Sequence, residues 1–215
     1  MIEQDTIKPS GKPSGKPFGK PSGKPLGKTA EAIAGTFLGL VMERGYNAVS
    51  YADLARLLGI RTASIHYHFP SKSDLGLAVL RRYRDGAFQS MGPLIPGNAR
   101  SYRDAFECML APVRSLAKMQ ASSCLVGVLG AEFASLPDDL KAGVSQFFEM
   151  QQQFLTRLLD EGRDAGAFAF DGDAEAMAKV IASTLQGAIL IKKARGDAHY
   201  MDSILENLNA IIMPG

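Results

Sequence analysis

Residues 50–75 carry several helix-start and helix-stop signals at close spacing, and these constrain the fold more than any other part of the sequence. Ser50 and Asp53 have the spacing of a capping box, in which a serine oxygen and an acid satisfy the first amides of a helix. Gly59 lacks a Cβ atom, so it can adopt the left-handed conformation that ends a helix. A short helix is therefore predicted between these signals.

A second short helix should follow directly. Thr62 can cap its N-terminus, and it should end near Phe69 because Pro70 cannot continue a helix. Ser71 and Asp74 repeat the capping-box spacing and should open a longer helix. Two short helices across a tight turn, with a third following at once, are typical of a helix-turn-helix that reads DNA.

The second short helix should have two different faces at 100° per residue. Ile65 and Phe69 are four residues apart and share one face, so we expect both to be buried. The opposite face carries small, polar and aromatic side chains, namely Ala63, Ser64, His66 and Tyr67. Such a face can approach a groove closely and still offer hydrogen bonds to bases or phosphates.

Residues from about Thr29 to Tyr83 resemble the DNA-binding domain of the tetracycline-repressor-like (TetR) family of transcriptional regulators. The motifs that carry the resemblance are Ala52-Asp53-Leu54-Ala55, Gly59-Ile60, Ser64-Ile65-His66-Tyr67-His68-Phe69, and then Lys72, Asp74 and Leu75. The family commonly has tyrosine where this chain has His66, so His66 is a departure.

The resemblance implies that Thr62, Ala63, Tyr67 and His68 contact DNA and that Lys72 contacts a phosphate. Together with the helical wheel, it gives a predicted DNA-binding set of Arg61, Thr62, Ala63, Ser64, His66, Tyr67, His68 and Lys72. Two such helices must reach successive major grooves about 34–36 Å apart, which favours a two-fold homodimer on a palindromic operator.

A metal site or cofactor is not expected. His66 and His68 are two residues apart, and side chains at that spacing on a helix point about 200° apart and cannot share one ion. The chain has only one further histidine, His199.

The composition is that of a globular protein, with 46% hydrophobic and 21% charged residues. No run reaches the roughly 18 apolar residues of a membrane span, and the acidic start Met1–Asp5 does not resemble a secretory signal. Two cysteines are too few for a disulfide framework and fit a reducing compartment. We therefore expect a cytoplasmic protein without membrane partners.

Residues 8–28 repeat Gly-Lys-Pro-x with a period of four, and residues 1–28 hold six lysines against Glu3 and Asp5. Proline removes amide donors and little is available to bury, so this arm should be disordered in the free protein. It is similar to the short basic arms that precede the first helix in many TetR-family members, and such arms can lie in a minor groove. The alternative is a solvated spacer that expanded by repeat slippage.

The chain as a whole is predicted to be all-α, with about nine helices. Beyond the two short helices, we expect helices at 29–44, 72–90, 101–120 with a kink or break at Pro112, 124–136, 138–164, 173–194 and 198–213. Three regions follow: a basic arm at 1–28, a helix-turn-helix domain at 29–90, and a ligand-binding and dimerisation domain at 91–215.

The resemblance implies an effector pocket in the middle helices and a four-helix dimer interface from the last two. Met and Phe can line a cavity for a small, largely apolar molecule, and the candidates are Phe106, Met109, Cys124, Phe133, Phe147, Met150 and Phe154. For the dimer interface the candidates are Leu185, Ile189, Ile204, Leu208 and Ile211. Periodicity does not separate either set from ordinary core.

Cys124-Leu125-Val126-Gly127 resembles a Gly-Cys-Leu-x-Gly stretch of one branch of the family, in which some regulators respond to electrophiles or unsaturated molecules. Cys124 is thus either a sensor of reactive compounds or a small buried apolar residue. The predicted function is a ligand-responsive, sequence-specific repressor that a small molecule releases from its operator. One alternative is an effector-binding protein that acts through protein partners. The other is a hydrolase using the Ser-x-x-Lys spacing of Ser115 and Lys118.

Overall fold

The computed structural model describes residues 26–91, 99–119, 123–197 and 199–213. Within those ranges the chain forms nine α-helices and no strand, which confirms the all-α prediction. The helices are α1 (Lys28–Arg44), α2 (Tyr51–Leu58), α3 (Thr62–His68), α4 (Lys72–Met91), α5 (Ala99–Lys118), α6 (Leu125–Ala131), α7 (Asp138–Asp164), α8 (Ala174–Arg195) and α9 (Tyr200–Ile212). A 3-10 turn at Phe133–Ser135 separates α6 from α7.

The helix-turn-helix forms from the signals that predicted it. The Ser50 side chain accepts from the Asp53 amide, and the Asp53 carboxylate accepts from the Ser50 amide, which completes the capping box of α2. Gly59 ends α2 with φ of 65°, a left-handed conformation that favours glycine. Ile65 of α3 and Phe69 just after it are both buried, as the helical wheel predicted.

Some predicted boundaries are wrong. Thr62 is the first residue of α3 and not its cap; Arg61 holds the cap position and makes no side-chain capping hydrogen bond. The helix α5 continues through Pro112, so a break there is excluded; the proline deprives only the carbonyl of the exposed Cys108 of its partner. The helix predicted for 124–136 stops at Ala131 and tightens into the 3-10 turn.

The basic arm at 1–28 lies almost wholly outside the described residues, which begin at Leu26. Gly27 takes the cap position of α1, and Glu31 in the first turn of α1 pairs with Arg82 of α4.

The helix α4 connects the two parts of the fold. It packs against α1 on one side and against α5 and α7 on the other, while α7 also packs against α8, and α8 against α9. Gly143 of α7 allows this approach, because a Cβ atom there would lie 2.9 Å from the Leu80 side chain of α4. The helix α4 therefore links α7 of the C-terminal part to α1 of the DNA-reading part.

Two adjacent lysines near the end of α8 bind the C-terminal ends of other helices. The buried Lys192 donates through Nζ to the carbonyl oxygens of Leu116, at 3.1 Å, and Met119 at the end of α5. Lys193 donates to the carbonyl oxygens of Met42 and Glu43 at the end of α1, at 3.2 and 2.8 Å. Terminal carbonyls lack helical partners and carry the negative end of the helix dipole, so a cation is well placed there.

By length and mean hydropathy (1.3), α8 could cross a membrane, and it is the one helix in the described part of the chain that could. Core helices meet the same criteria. Here α8 packs against α5, α7 and α9 and holds Lys192 and Lys193 on carbonyls of α5 and α1, which identifies it as a core helix of this fold.

Candidate nucleic-acid interface and effector region

The predicted DNA-binding residues cluster around the outer face of α3. Tyr67 is 85% exposed, and its ring makes an edge contact with that of His68 at 5.2 Å between centroids. The exposed members of the set are Arg61, Thr62, Ala63, His66 and Tyr67, while Ser64, His68 and Lys72 are partly buried. This surface offers hydroxyl, imidazole, phenol and guanidinium groups beside one small side chain, which suits close approach to a groove.

Tyr51 fixes the end of α3, and this role was not predicted. Its hydroxyl lies 2.9 Å from the carbonyl oxygen of Phe69 and 2.6 Å from that of Ser71, so its single hydrogen is shared between two acceptors. Burial, with the charge of Asp74 as a smaller cause, raises the pKa of Tyr51 to about 12. The only sequence signal was an aromatic residue directly after the Ser50 cap.

The ring of His66 is also held in place. Its Nδ1 atom lies 3.1 Å from the carbonyl oxygen of Pro70, and its ring meets that of Tyr51 edge-on at 4.8 Å between centroids. His66 and Tyr51 therefore brace the turn between α3 and α4 together.

Lys72 does not point freely into solvent. Its ammonium lies 4.5 Å from the centre of the Tyr46 ring and donates to the carbonyl oxygen of Asn47 at 3.4 Å. Burial lowers the pKa of Lys72, and the Glu132 carboxylate opposes that shift. A phosphate would therefore share Lys72 with the loop between α1 and α2.

That loop is bound to the C-terminal part of the chain by a second unpredicted residue, Glu132. The Asn47 amide donates to Glu132 Oε2 at 3.0 Å, and Asn47 Nδ2 donates to Ser135 Oγ at 2.8 Å. Gly45 has φ of 99°, a backbone conformation that favours glycine, and a Cβ atom there would displace the Glu132 carboxylate. The loop that leads into α2 thus depends on a residue more than 80 positions later.

Most of the predicted effector residues are buried in the single chain. Five are buried: Phe106, Met109, Cys124, Phe147 and Phe154. Met150 is half-buried and Phe133 is 39% exposed. Phe147 and Phe154 both contact the ring of Phe88, which explains their burial.

Two openings lie near these residues without being lined by any of the seven. One, of about 610 Å³, follows the groove between α4 and α7. The other, of about 390 Å³, lies between α6, α7 and α8, and its lining includes Gly127, Phe148, Gln152, Ser183 and Gln186.

Cys124 sits between helices that belong to the two parts of the fold. Its Sγ atom lies 3.3 Å from the hydroxyl of Tyr83 on α4 and 3.5 Å from Nε2 of Gln186 on α8. Burial and the neighbouring Cys124 raise the pKa of the Tyr83 phenol, so this hydroxyl stays protonated. Gln186 also lines the 390 Å³ cavity, so the cavity and Cys124 share a neighbour.

The predicted dimer residues divide between core and surface. Leu185, Ile189 and Leu208 are buried within the single chain, so these three face its own core. Ile204 is half-buried and Ile211 is 51% exposed. The reason is that α8 is apolar on two sides: its exposed apolar side chains are Val180, Leu190 and Ile191.

Ser115 and Lys118, which formed the Ser-x-x-Lys alternative, are both exposed on α5.

Two family models match the chain. One described as "Bacterial regulatory proteins, tetR family" matches residues 38–79, and one described as "Tetracyclin repressor-like, C-terminal domain" matches residues 109–208. The transcriptional regulator AcuR of Cereibacter sphaeroides is 28% identical over 160 residues, covering 70% of each chain. The repressor NemR of Escherichia coli K12 is 23% identical over 186 residues, covering 86% of this chain and 94% of the relative.

Solved structures give the same assignment. A TetR-family regulator from Agrobacterium tumefaciens superposes with a TM-score of 0.78 at 29% identity, covering 86% of this chain and 97% of that one. A TetR regulator from Legionella pneumophila gives a TM-score of 0.71, also at 29% identity, over 87% and 98% of the two chains. The helix-turn-helix, the helical C-terminal part and these relatives agree, and the chain belongs to the TetR family of bacterial transcriptional regulators.

Proposed function

We propose that the protein is a homodimeric, sequence-specific DNA-binding repressor that leaves its operator when a small molecule binds or modifies the C-terminal region. The observation that carries the proposal is the outer face of α3, where Tyr67 is 85% exposed beside Arg61, Thr62, Ala63 and His66. A large side chain exposed at this position of a helix-turn-helix is well placed for a major groove. Since its partner is DNA, the protein would act in the cytoplasm.

A binding-site selection tests the DNA-binding proposal. Full-length protein is incubated at low salt with random double-stranded DNA, and the retained sequences are determined over several rounds. Enrichment of a palindrome whose half-sites are about one helical turn apart would support the proposal. Tyr67→Ala should lose specific binding, whereas Leu57→Ala, which truncates an exposed side chain of α2, is the comparison. Retention no greater than that of a non-specific basic protein would refute it.

For the dimer, we propose an interface on the exposed side of α8 and α9. Val180, Thr184, Gly187 and Ile191 follow at intervals of four, three and four residues, which places them on one side of α8. Ile204 and Ile211 extend this surface onto α9. Val180 and Ile191, at the two ends of this row, are exposed apolar side chains, and exposed apolar surface is typical of an interface between subunits.

For the effector, we propose the 390 Å³ cavity between α6, α7 and α8. Its volume suits a small molecule, and its lining combines the Phe148 ring and the backbone of two glycines with three glutamine side chains. Such a lining fits a compact molecule with an apolar body and a hydrogen-bonding group. Binding would shift Gln186 and, through Cys124 and Tyr83, the helix α4. Coupling free energies of about 1–3 kcal/mol change operator affinity about 5–150-fold.

We propose further that Cys124 can be the target of an electrophile. In a conjugate addition to an α,β-unsaturated ketone, the sulfur forms a bond to the β carbon, the carbon–carbon double bond becomes a single bond, and the thiol proton ends on the α carbon. A substituent on Sγ would compete for space with the Tyr83 hydroxyl at 3.3 Å, and Tyr83 would be displaced. The modification would therefore act on α4.

Methyl vinyl ketone is a suitable small probe. It should release wild type and Cys108→Ser from DNA and leave Cys124→Ser bound, because the proposal places the effect at Cys124, whereas Cys108 is an exposed residue of α5. Mass spectrometry of the intact protein would give the number of adducts. Release of Cys124→Ser as readily as wild type would refute the proposal that Cys124 is a sensor. It would not affect the proposal that a small molecule binds reversibly in the 390 Å³ cavity.

A further inference from the structure

We infer that His66 reads an exocyclic amino group of a base, adenine N6 or cytosine N4, through Nε2 acting as a hydrogen-bond acceptor. The inference rests on the proposed function, in which α3 enters a major groove. It assigns a base preference to this position of α3. The preference follows from the hydrogen bond that the other ring nitrogen, Nδ1, makes within the protein.

The contact at Nδ1 fixes the tautomer. A carbonyl oxygen has no hydrogen to give, so the 3.1 Å contact between Nδ1 and the Pro70 carbonyl is a hydrogen bond only if Nδ1 donates. A neutral imidazole carries one N–H, and the partner of one nitrogen determines the role of the other. With its hydrogen on Nδ1, His66 presents a lone pair at Nε2.

Neighbouring groups keep the ring in this orientation. Tyr51 meets the ring edge-on at 4.8 Å, and its hydroxyl is bound to the carbonyl oxygens of Phe69 and Ser71 on either side of Pro70. Rotation of the imidazole by 180° would put a carbon atom against the Pro70 carbonyl and lose the hydrogen bond. Three consecutive carbonyls therefore hold the two aromatic rings together.

His66 belongs to the exposed face of α3. His66 is exposed on the same side of α3 as Ala63 and Tyr67, and within the described ranges no protein group hydrogen-bonds Nε2. An acceptor cannot bind a phosphate oxygen, because neither partner supplies a hydrogen. In the major groove the donors on base edges are the amino groups of adenine and cytosine, whereas guanine and thymine present acceptors. His66 should therefore distinguish amino bases from keto bases on the strand that it faces.

A tyrosine in place of His66 would behave differently. A phenol hydroxyl both donates and accepts, so it can bond a phosphate or either class of base. Replacing it with a histidine of fixed tautomer removes the donor and leaves a contact that depends on sequence. His66→Tyr should accordingly bind DNA with less discrimination at this one position.

The tautomer can be measured without DNA. Long-range correlation of imidazole protons and nitrogens in protein labelled with ¹⁵N-histidine, at about pH 8.5 where free imidazole is neutral, gives the position of each N–H. His66 is assigned by the signal that is missing in His66→Phe, and His68 and His199 are internal comparisons. We expect the hydrogen of His66 on Nδ1. A hydrogen on Nε2 would overturn the inference.

The base preference is tested by repeating the site selection with wild type, His66→Phe and His199→Phe. Wild type should enrich adenine and cytosine over guanine and thymine at one symmetric position of each half-site. His66→Phe keeps a flat ring but should lose that preference by about 3-fold to 10-fold, the range of one hydrogen bond. His199→Phe should behave as wild type, because His199 precedes α9 in the C-terminal part.

The outcomes of the site selection distinguish base reading by His66 from the proposed DNA binding. If wild type enriches a palindrome and His66→Phe retains every base preference, His66 does not read a base and the inference fails while DNA binding stands. If the position that His66→Phe relaxes prefers guanine or thymine, Nε2 donates and the inference also fails. If wild type enriches no sequence, the proposed function itself is wrong.

Discussion

The Nζ atom of Lys193 lies 2.8 Å from the carbonyl oxygen of Glu43, although 150 residues separate the two in sequence. The contact joins the end of α8, beside the proposed dimer surface, to the end of α1, where the chain turns into the helix-turn-helix. This contact connects α8 directly to the DNA-reading part, in addition to the packing of α4 against both parts of the fold.

Lys193→Met should weaken the connection between α8 and the end of α1, because the thioether side chain keeps the aliphatic length and loses the three N–H donors. Hydrogen bonds to a charged group contribute about 1.5–3 kcal/mol, so we expect urea unfolding to show a free energy of unfolding lower by about 1–2 kcal/mol. Hydrogen exchange at residues 42–47 should become faster. Lys179→Met on the same helix is the control, since Lys179 only pairs with exposed Glu175. Equal effects of the two substitutions would contradict the assigned role.

Gly162→Ala should destabilise the fold even though alanine favours helices. Its Cβ atom would lie 2.4 Å from two ring carbons of Phe168, and such overpacking typically costs about 1–3 kcal/mol. Gly39→Ala in α1 meets nothing within 4 Å and should instead stabilise by up to about 1 kcal/mol. Thermal unfolding of the two variants should therefore shift in opposite directions. A shift in the same direction would mean that α7 does not approach Phe168 this closely.

Tyr51→Phe removes the hydroxyl that binds the carbonyls of Phe69 and Ser71, and should lower the free energy of unfolding by about 1 kcal/mol at pH 8. Folding raises the pKa of Tyr51 to about 12 from an ordinary value of about 10. Its stabilising contribution is therefore complete below pH 10 and is lost as the pH rises through 12. The stability difference from wild type, measured by urea unfolding, should narrow over that window. Tyr67→Phe, at an exposed phenol, should change nothing, and a constant difference for Tyr51→Phe would argue against the shared hydrogen bond.

Gly187→Leu tests the dimer surface. A side chain at 187 has open space in the single chain, since a Cβ atom there meets nothing within 4 Å, so the fold should persist. A partner helix packed on the row from Val180 to Ile191 would be pushed away. Light scattering should show a monomer for Gly187→Leu and a dimer for wild type and for Gly86→Leu, another open position. A dimeric Gly187→Leu protein would place the interface elsewhere.

Deletion of residues 2–25 tests the basic arm while leaving the Gly27 cap of α1 intact. Each lysine that contacts a phosphate contributes about 0.9 to the slope of log affinity against log salt, so the slope should fall by that amount per lost contact. A full-length arm with its five lysines from 8 to 24 changed to glutamine separates charge from length. An unchanged slope in both proteins would make the arm a spacer.

The helix ends and buried face of the helix-turn-helix were predictable from sequence, because the signals that determine them act over three or four residues. The capping box of Ser50, the left-handed Gly59 and the buried pair Ile65 and Phe69 all belong to that class. Contacts between distant segments were not predictable, since nothing near Asn47 indicates that Glu132 will accept from its amide.

The predicted dimer residues of α8 show that sequence alone was also insufficient within a single helix. Both sides of α8 are apolar, and the helical period alone does not say which side meets the chain's own core. Leu185 is buried and Ile191 is exposed because α5, α7 and α9 pack against α8 and leave part of its apolar surface uncovered.

The contacts of Glu132 and Ser135 with the α1–α2 loop also bear on how regulators of this kind can be recombined. A DNA-reading part cut at the end of α4 would carry Gly45 and Asn47 away from the groups that hold them. A chimera that joins this reading part to the body of a relative needs both acceptors transplanted as well. The boundary between the DNA-reading part and the rest of the protein is therefore a surface of contacts between distant segments. A single cut in the chain cannot separate the two parts without breaking those contacts.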